Sequence, residues 1–136
     1  MNEKKTQEKE KIQRSVLVVD DEQAYSAATG KILERNGFIV FKAASAAEAL
    51  KLLDAVSPDL MLLDVMMPEK DGITLLRELA SNPKWLGTPL VIVSAKVSPA
   101  DRSTAWMAGA DAFLAKPFTS QELLDVIEYA LPDTTA

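Results

Sequence analysis

The chain contains no cysteine and no histidine. The first absence rules out a disulfide framework and a thiolate metal site. The second removes Ser-His and Cys-His catalysis, imidazole metal ligands and any phosphohistidine carried by this chain. No apolar run approaches membrane-spanning length, and the N-terminus lacks the apolar core of a signal peptide. The expectation is a soluble, cytoplasmic protein with no membrane contact. Positive charge is also short, with 15 Lys and Arg against 20 Asp and Glu, for a net charge of −5. The deficit is uneven. Residues 1–14 carry five basic and three acidic side chains, a sum of +2, which leaves −7 on the rest. Nucleic-acid backbones are bound by clustered Lys and Arg, so direct nucleic-acid binding is not expected.

What remains is 136 residues, enough for one domain with a core that needs no staples. Residues 1–14 hold almost no apolar side chain beyond Met1 and Ile12 and read as a charged, mobile tail. From residue 15 onward, short apolar runs recur and each ends at a polar residue. Ser15-Val16-Leu17-Val18-Val19 ends at Asp20-Asp21, and Leu60-Met61-Leu62-Leu63 ends at Asp64. Leu90-Val91-Ile92-Val93 ends at Ser94, and Ala112-Phe113-Leu114-Ala115 ends at Lys116-Pro117. Phe38 to Phe41 forms a further run. Runs apolar at every position fit strands covered on both faces, as in a parallel sheet.

Helical spacing separates the runs. Tyr25, Thr29, Ile32 and Leu33 mark a helix over 22–36 that closes at Asn36-Gly37. Gly30 inside it costs about 1 kcal/mol against Ala and suggests close packing. Ser45 to Glu48 and Thr119 to Glu122 are capping boxes, and Ser98-Pro99 starts a helix that Gly109 ends. A helix with Ile73, Leu76 and Leu79 follows Gly72. The last helix shows Leu123, Leu124, Ile127 and Leu131 before Pro132, and residues 132–136 form a C-terminal tail. Five strands alternating with five helices predict an α/β fold, a single doubly wound parallel sheet over residues 15–131.

Parallel strands place all their carboxyl ends on one edge, where open α/β sheets bind ligands. That edge collects Asp20, Asp21, Asp64, Ser94 and Lys116. Each alone has an ordinary explanation: an aspartate pair capping a helix, a strand-terminal aspartate leaving for solvent, a turn serine, a solvated lysine. Together they do not, because folding needs no such collection and close carboxylates repel. Their oxygens suit a hard divalent cation, Mg²⁺ better than Ca²⁺, and an adjacent hydroxyl and ammonium suit a phosphoryl group.

The set V-V-D-D-E, L-L-D-V-M-M-P-E-K-D-G, V-I-V-S-A and A-G-A-D-A-F-L-A-K-P-F resembles the receiver domain of two-component response regulators, over about residues 15–131. The resemblance implies a flavodoxin-like (βα)5 sheet of order 2-1-3-4-5. It implies that Asp64 accepts a phosphoryl group from a sensor histidine kinase or histidine phosphotransfer protein. Asp20, Asp21, Asp64 and the backbone carbonyl of Met66 would hold Mg²⁺, with Lys116 and Ser94 meeting the phosphoryl oxygens. Pro117 matches the family's cis peptide, and Ser94 with Phe113 its switch pair. Met66 and Lys96 occupy positions that tune phosphoryl lifetime. On this view the protein signals by binding a downstream partner or a second copy through residues 98–131 and is not an enzyme acting on a separate substrate. Trp106 reads as core-facing there, leaving Met107 exposed. An aspartyl-phosphate hydrolase is the alternative, but its usual second aspartate falls on Met66. A docking module that is never phosphorylated is another, and the intact acidic set opposes it. Five residues follow Leu131, too few for an output domain. Either the receiver stands alone or it is a piece of a longer protein; Met1 and the short tail favour the first.

Overall fold

The structure is a computed structural model that describes residues 13–64, 72–95 and 98–132. Met66, Lys96, Pro68 and Asp71 lie outside the described residues, as do the tails through Ile12 and from Asp133. Five parallel strands form one sheet: β1 Ser15–Val19, β2 Ile39–Ala43, β3 Leu60–Asp64, β4 Leu90–Ser94 and β5 Ala112–Ala115. Their spatial order is β2-β1-β3-β4-β5. The helices are α1 Gln23–Arg35, α2 Ala46–Leu53, α3 Gly72–Ala80, α4 Pro99–Ala108 and α5 Ser120–Ala130, with a short 3₁₀ turn at Pro83–Trp85.

The pattern of the strands follows from their places. β3 and β4 are buried at every residue, because each has a strand on both sides and helices on both faces. β2 lies at the edge and is the least buried strand; it runs from 39 to 43, beyond the apolar stretch that ends at Phe41. Alternation splits the sheet into two cores. Leu17, Val19, Met61, Leu63 and Ile92 pack with α2, α3 and α4, whereas Val18, Leu62, Val93 and Leu114 pack with Leu33 of α1 and Leu123 and Ile127 of α5.

Local signals set the helix ends. The Ser98 and Thr119 side chains accept from the backbone of Asp101 and Glu122, whose carboxylates reach back to complete capping boxes. The Ser45 box is only half formed: Ser45 Oγ accepts from Glu48 N–H, but the Glu48 carboxylate accepts from Ala44. Gly109 ends α4 at φ 115°, and a Cβ there would lie 2.5 Å from that of Ala80, so both conformation and space require glycine. At Gly30 the close neighbour is the stem of Lys42 from β2, whose Cε would lie 2.7 Å from an added Cβ. Arg14, assigned to the tail from composition, is tied down here. Its carbonyl accepts from Ile39 N–H at 2.9 Å and its guanidinium donates to the Pro132 carbonyl at 2.8 Å.

One sequence expectation fails on α4. Trp106 is 49% exposed and Met107 87%. The inward face of α4 is made by Ala105 and Ala108, both buried, and Trp106 lies about 100° round the helix from Ala105. Small residues let the helix sit close to the sheet, and the indole stays outside.

Candidate functional site

The register of the sheet assembles the site. Val19 pairs with Leu63, Asp64 with Val93, and Ser94 with Ala115. Asp20, Asp64, Ser94 and Lys116 therefore end four adjacent strands at one edge, with Asp20 level with Asp64 and Ser94 and Lys116 standing one and two residues further out. Asp20 is pinned there by its N–H, which donates to the Ala43 carbonyl at 3.0 Å, and Lys116 by its N–H, which donates to the Ser94 carbonyl at 2.9 Å. The Lys116–Pro117 peptide is cis.

Side-chain alternation then sorts these residues. Asp64 continues the face of Leu60 and Leu62, and Lys116 that of Ala112 and Leu114, which is the α1–α5 side. Ser94 continues the face of Leu90 and Ile92, on the α4 side, and Phe113 packs against the same core. Phe113 is half-buried beside Ile92, one pleat below Ser94 on the next strand, with the Arg102 guanidinium 4.7 Å from its ring centroid.

Three carboxylates converge. Asp20, Asp21 and Asp64 each offer an oxygen within 4.8 Å of the others. Asp20 and Asp64 are buried and Asp21 is exposed, so the group is open to solvent on one side only. Lys116 is the cation beside them. Its ammonium lies 2.9 Å from Asp20 Oδ2, 3.2 Å from Glu22 Oε1 and 3.5 Å from Asp64 Oδ2, and its side chain is 6% exposed. Burial, the largest single influence, pulls its pKa down. The hydrogen bond to Asp20, the charges of Asp64 and Asp20 and the hydrogen bond to Glu22 outweigh it and hold Lys116 above the ordinary lysine value. The lysine is a fixed positive charge.

Asp20, Glu22 and Asp64 thus face one ammonium, and Asp21 adds a further carboxylate beside Asp20 and Asp64. The remaining negative charge and the all-oxygen donor set of Asp20, Asp21 and Asp64 fit a small hard divalent cation with water completing its shell. Asp20 does not cap α1: its Oδ1 accepts from Glu22 N–H at 2.9 Å, which stiffens the turn between β1 and the helix. Two neighbours of the lysine escape a strand-by-strand reading. Glu22 follows the aspartate pair directly, and that adjacency was the available signal. Tyr25 falls on the helical stripe of α1 and reads as core, yet its ring centroid lies 4.2 Å from the Lys116 ammonium.

The sequence and the fold are both similar to those of known proteins. A family model described as the response regulator receiver domain matches residues 16–128. The transcriptional regulatory protein CpxR of Klebsiella pneumoniae subsp. pneumoniae is 41% identical over 109 residues, covering 80% of this chain and 45% of that protein. The response regulator MprA of Mycolicibacterium vanbaalenii is 39% identical over 120 residues, covering 88% and 51%. The chain spans about half the length of the curated relatives it matches. Among solved structures, the chemotaxis protein CheY4 of Vibrio cholerae superposes with a TM-score of 0.84 at 27% identity, over 88% of this chain and 100% of that one. A CheY-like receiver domain protein of Methanospirillum hungatei gives 0.80 at 30% identity, over 87% and 93%.

Proposed function

The chain belongs to the response regulator receiver domain family of two-component signalling, and on that premise we propose that it is a phosphorylation switch whose acceptor is Asp64. The observation that carries this reading is the surrounding of one carboxylate. Asp64 is buried at the end of β3, with the Lys116 ammonium at 3.5 Å and two further aspartates within 4.8 Å. In the step, an Asp64 oxygen attacks the phosphorus of a phosphohistidine on a partner kinase or phosphotransfer protein. A P–O bond forms, the P–N bond breaks, and the departing imidazole takes a proton. This chain has no histidine, so the donor comes from elsewhere. Asp20, Asp21 and Asp64 would hold Mg²⁺, which when bound offsets the charge of the phosphoryl oxygens. Lys116 supplies a second positive charge from a fixed position, and Ser94 a hydroxyl from the α4 side.

The reading is tested with the full chain and ³²P-labelled acetyl phosphate. Label should enter to at most one equivalent, require Mg²⁺, and leave by slow self-hydrolysis. Added phosphomonoesters should not turn over. Sustained turnover of phosphomonoesters dependent on Asp64 would mark a hydrolase and sink the switch.

The output is assigned to a protein partner or a second copy. Residues 15–136 carry −7, the wrong sign for a phosphate backbone, whereas α4 presents Trp106 and Met107 to solvent. Ser94 and Phe113 lie on the α4 face of the sheet. A phosphoryl group that draws the Ser94 hydroxyl toward it opens space for Phe113 to turn inward, away from Arg102. Coupling of this kind is usually worth about 1–3 kcal/mol. Ser94→Ala is expected to leave Asp64 phosphorylatable while the amide NMR shifts of residues 98–131 on adding beryllofluoride shrink severalfold. If those residues do not move in the wild type, this route to α4 is not used.

A further inference from the structure

We propose that Tyr25 is a positioning residue for phosphoryl capture, its ring face carrying the Lys116 ammonium beside Asp64. This rests on the reading of Asp64 as acceptor. Three observations converge on the ring. Its centroid is 4.2 Å from Lys116 Nζ, well inside the range over which a cation is drawn to an aromatic face. The lysine side chain is 6% exposed, so the ring meets an ammonium largely stripped of water, where that attraction is strongest. The ring is also braced. Phe118, two residues beyond Lys116, packs against Tyr25 at 5.6 Å between centroids and 54° between planes. One connection, between β5 and α5, thus supplies both the cation and the aromatic that steadies its support.

The arrangement answers a difficulty in the chemistry. With Asp64 unmodified, the ammonium sits nearest Asp20 and Glu22, at 2.9 and 3.2 Å, and farther from Asp64 at 3.5 Å. To meet a phosphoryl oxygen it must give up part of those contacts. Carboxylate hydrogen bonds fix the donor to a narrow range of positions. The field over a ring face varies slowly, so the ammonium can slide beneath Tyr25 without losing its support. Glu22 is 59% exposed in its side chain and cannot hold the lysine inward. Tyr25, Asp20 and Asp64 also border one cavity of about 10 Å³, roughly the space of one water. Without the ring that cavity opens, and Lys116 follows Glu22 toward solvent.

The test compares the full chain with Tyr25→Phe, Tyr25→Trp and Tyr25→Leu. Initial rates of ³²P capture from acetyl phosphate at saturating Mg²⁺ are read beside the proton NMR shift of the Lys116 ε-methylene. In the wild type that methylene should be moved upfield by the ring. Leu should slow capture about fivefold and return the methylene toward its ordinary position, with Mg²⁺ affinity retained. Phe keeps the face and should restore most of the rate, and Trp should match or exceed it. Equal rates for Leu and wild type, or a Phe variant as slow as Leu, would overturn the role. So would an unshifted Lys116 methylene in the wild type, whatever the folding of the variants. Failure of the wild type itself to take label at Asp64 would instead refute the acceptor assignment.

Discussion

Asp64→Asn is expected to reduce phosphoryl acceptance from acetyl phosphate to background while the fold is retained. The amide has nearly the size and shape of the carboxylate, so the packing at the end of β3 survives. What goes is the anionic oxygen that attacks phosphorus, and no neighbour replaces it at the same point. Asp20 is the nearest buried substitute, but its oxygens are already engaged by Lys116 at 2.9 Å and Glu22 N–H at 2.9 Å. Metal affinity should fall as well, because one of three converging carboxylates is neutralised. Thermal stability without metal should hold or rise slightly, since like charges repel less. Label in the variant at the wild-type stoichiometry would show the acceptor to be another residue. Residual label traced to Asp20 would say that the site tolerates a shifted attack.

Much of this was legible in the sequence for a physical reason. A strand buried on both faces has no solvent side to record, so Leu60 to Leu63 reads as unbroken hydrophobicity and its end at Asp64 is abrupt. The shared edge then follows from parallel strands alone. The strand order 2-1-3-4-5 was not in the residues; it came with the family resemblance, and the sheet has that order. Contacts set by the rotation of a helix were the least legible. Tyr25 lies on the buried stripe of α1, and only the angle of that helix against the β5–α5 connection turns its ring to Lys116. Trp106 failed for the converse reason. Hydrophobicity assigned it inward, but α4 approaches the sheet through Ala105 and Ala108, and a helix seated on alanines has no room beneath it for an indole. Glu22 lies between these cases: it is adjacent to the aspartate pair and opens the helix read over 22–36, but the apolar spacing of that helix does not single it out.

Lys116→Met should make the protein depend on its metal. In the wild type the ammonium is the only cation the described residues place among Asp20, Glu22 and Asp64. Methionine keeps the length of the stem and its packing against Tyr25 but leaves two buried carboxylates facing each other. Removing one partner of a buried ion pair costs about 3–5 kcal/mol. The open side at Asp21 lets water relieve part of that, so about 3 kcal/mol is expected, or on the order of 10 °C in Tm. Mg²⁺ should return most of it, because a ligand at about 100 times its Kd contributes about 2.7 kcal/mol. The metal should also bind the variant more tightly than the wild type, no longer repelled by an ammonium. Phosphoryl capture should fall even so, since the fixed charge that meets the phosphoryl oxygen is gone. The lysine's own pH dependence has a definite sign. Its folded pKa is raised, so its contribution is complete below the ordinary lysine value and is lost only as pH rises through the higher folded one. Between about pH 6 and about pH 9 that contribution is flat. Thermal melts of both proteins across a Mg²⁺ titration, repeated over that pH range, measure all of this. A variant no less stable than wild type without metal, or one that gains no more from Mg²⁺, would show that Lys116 does not offset the carboxylates at this edge.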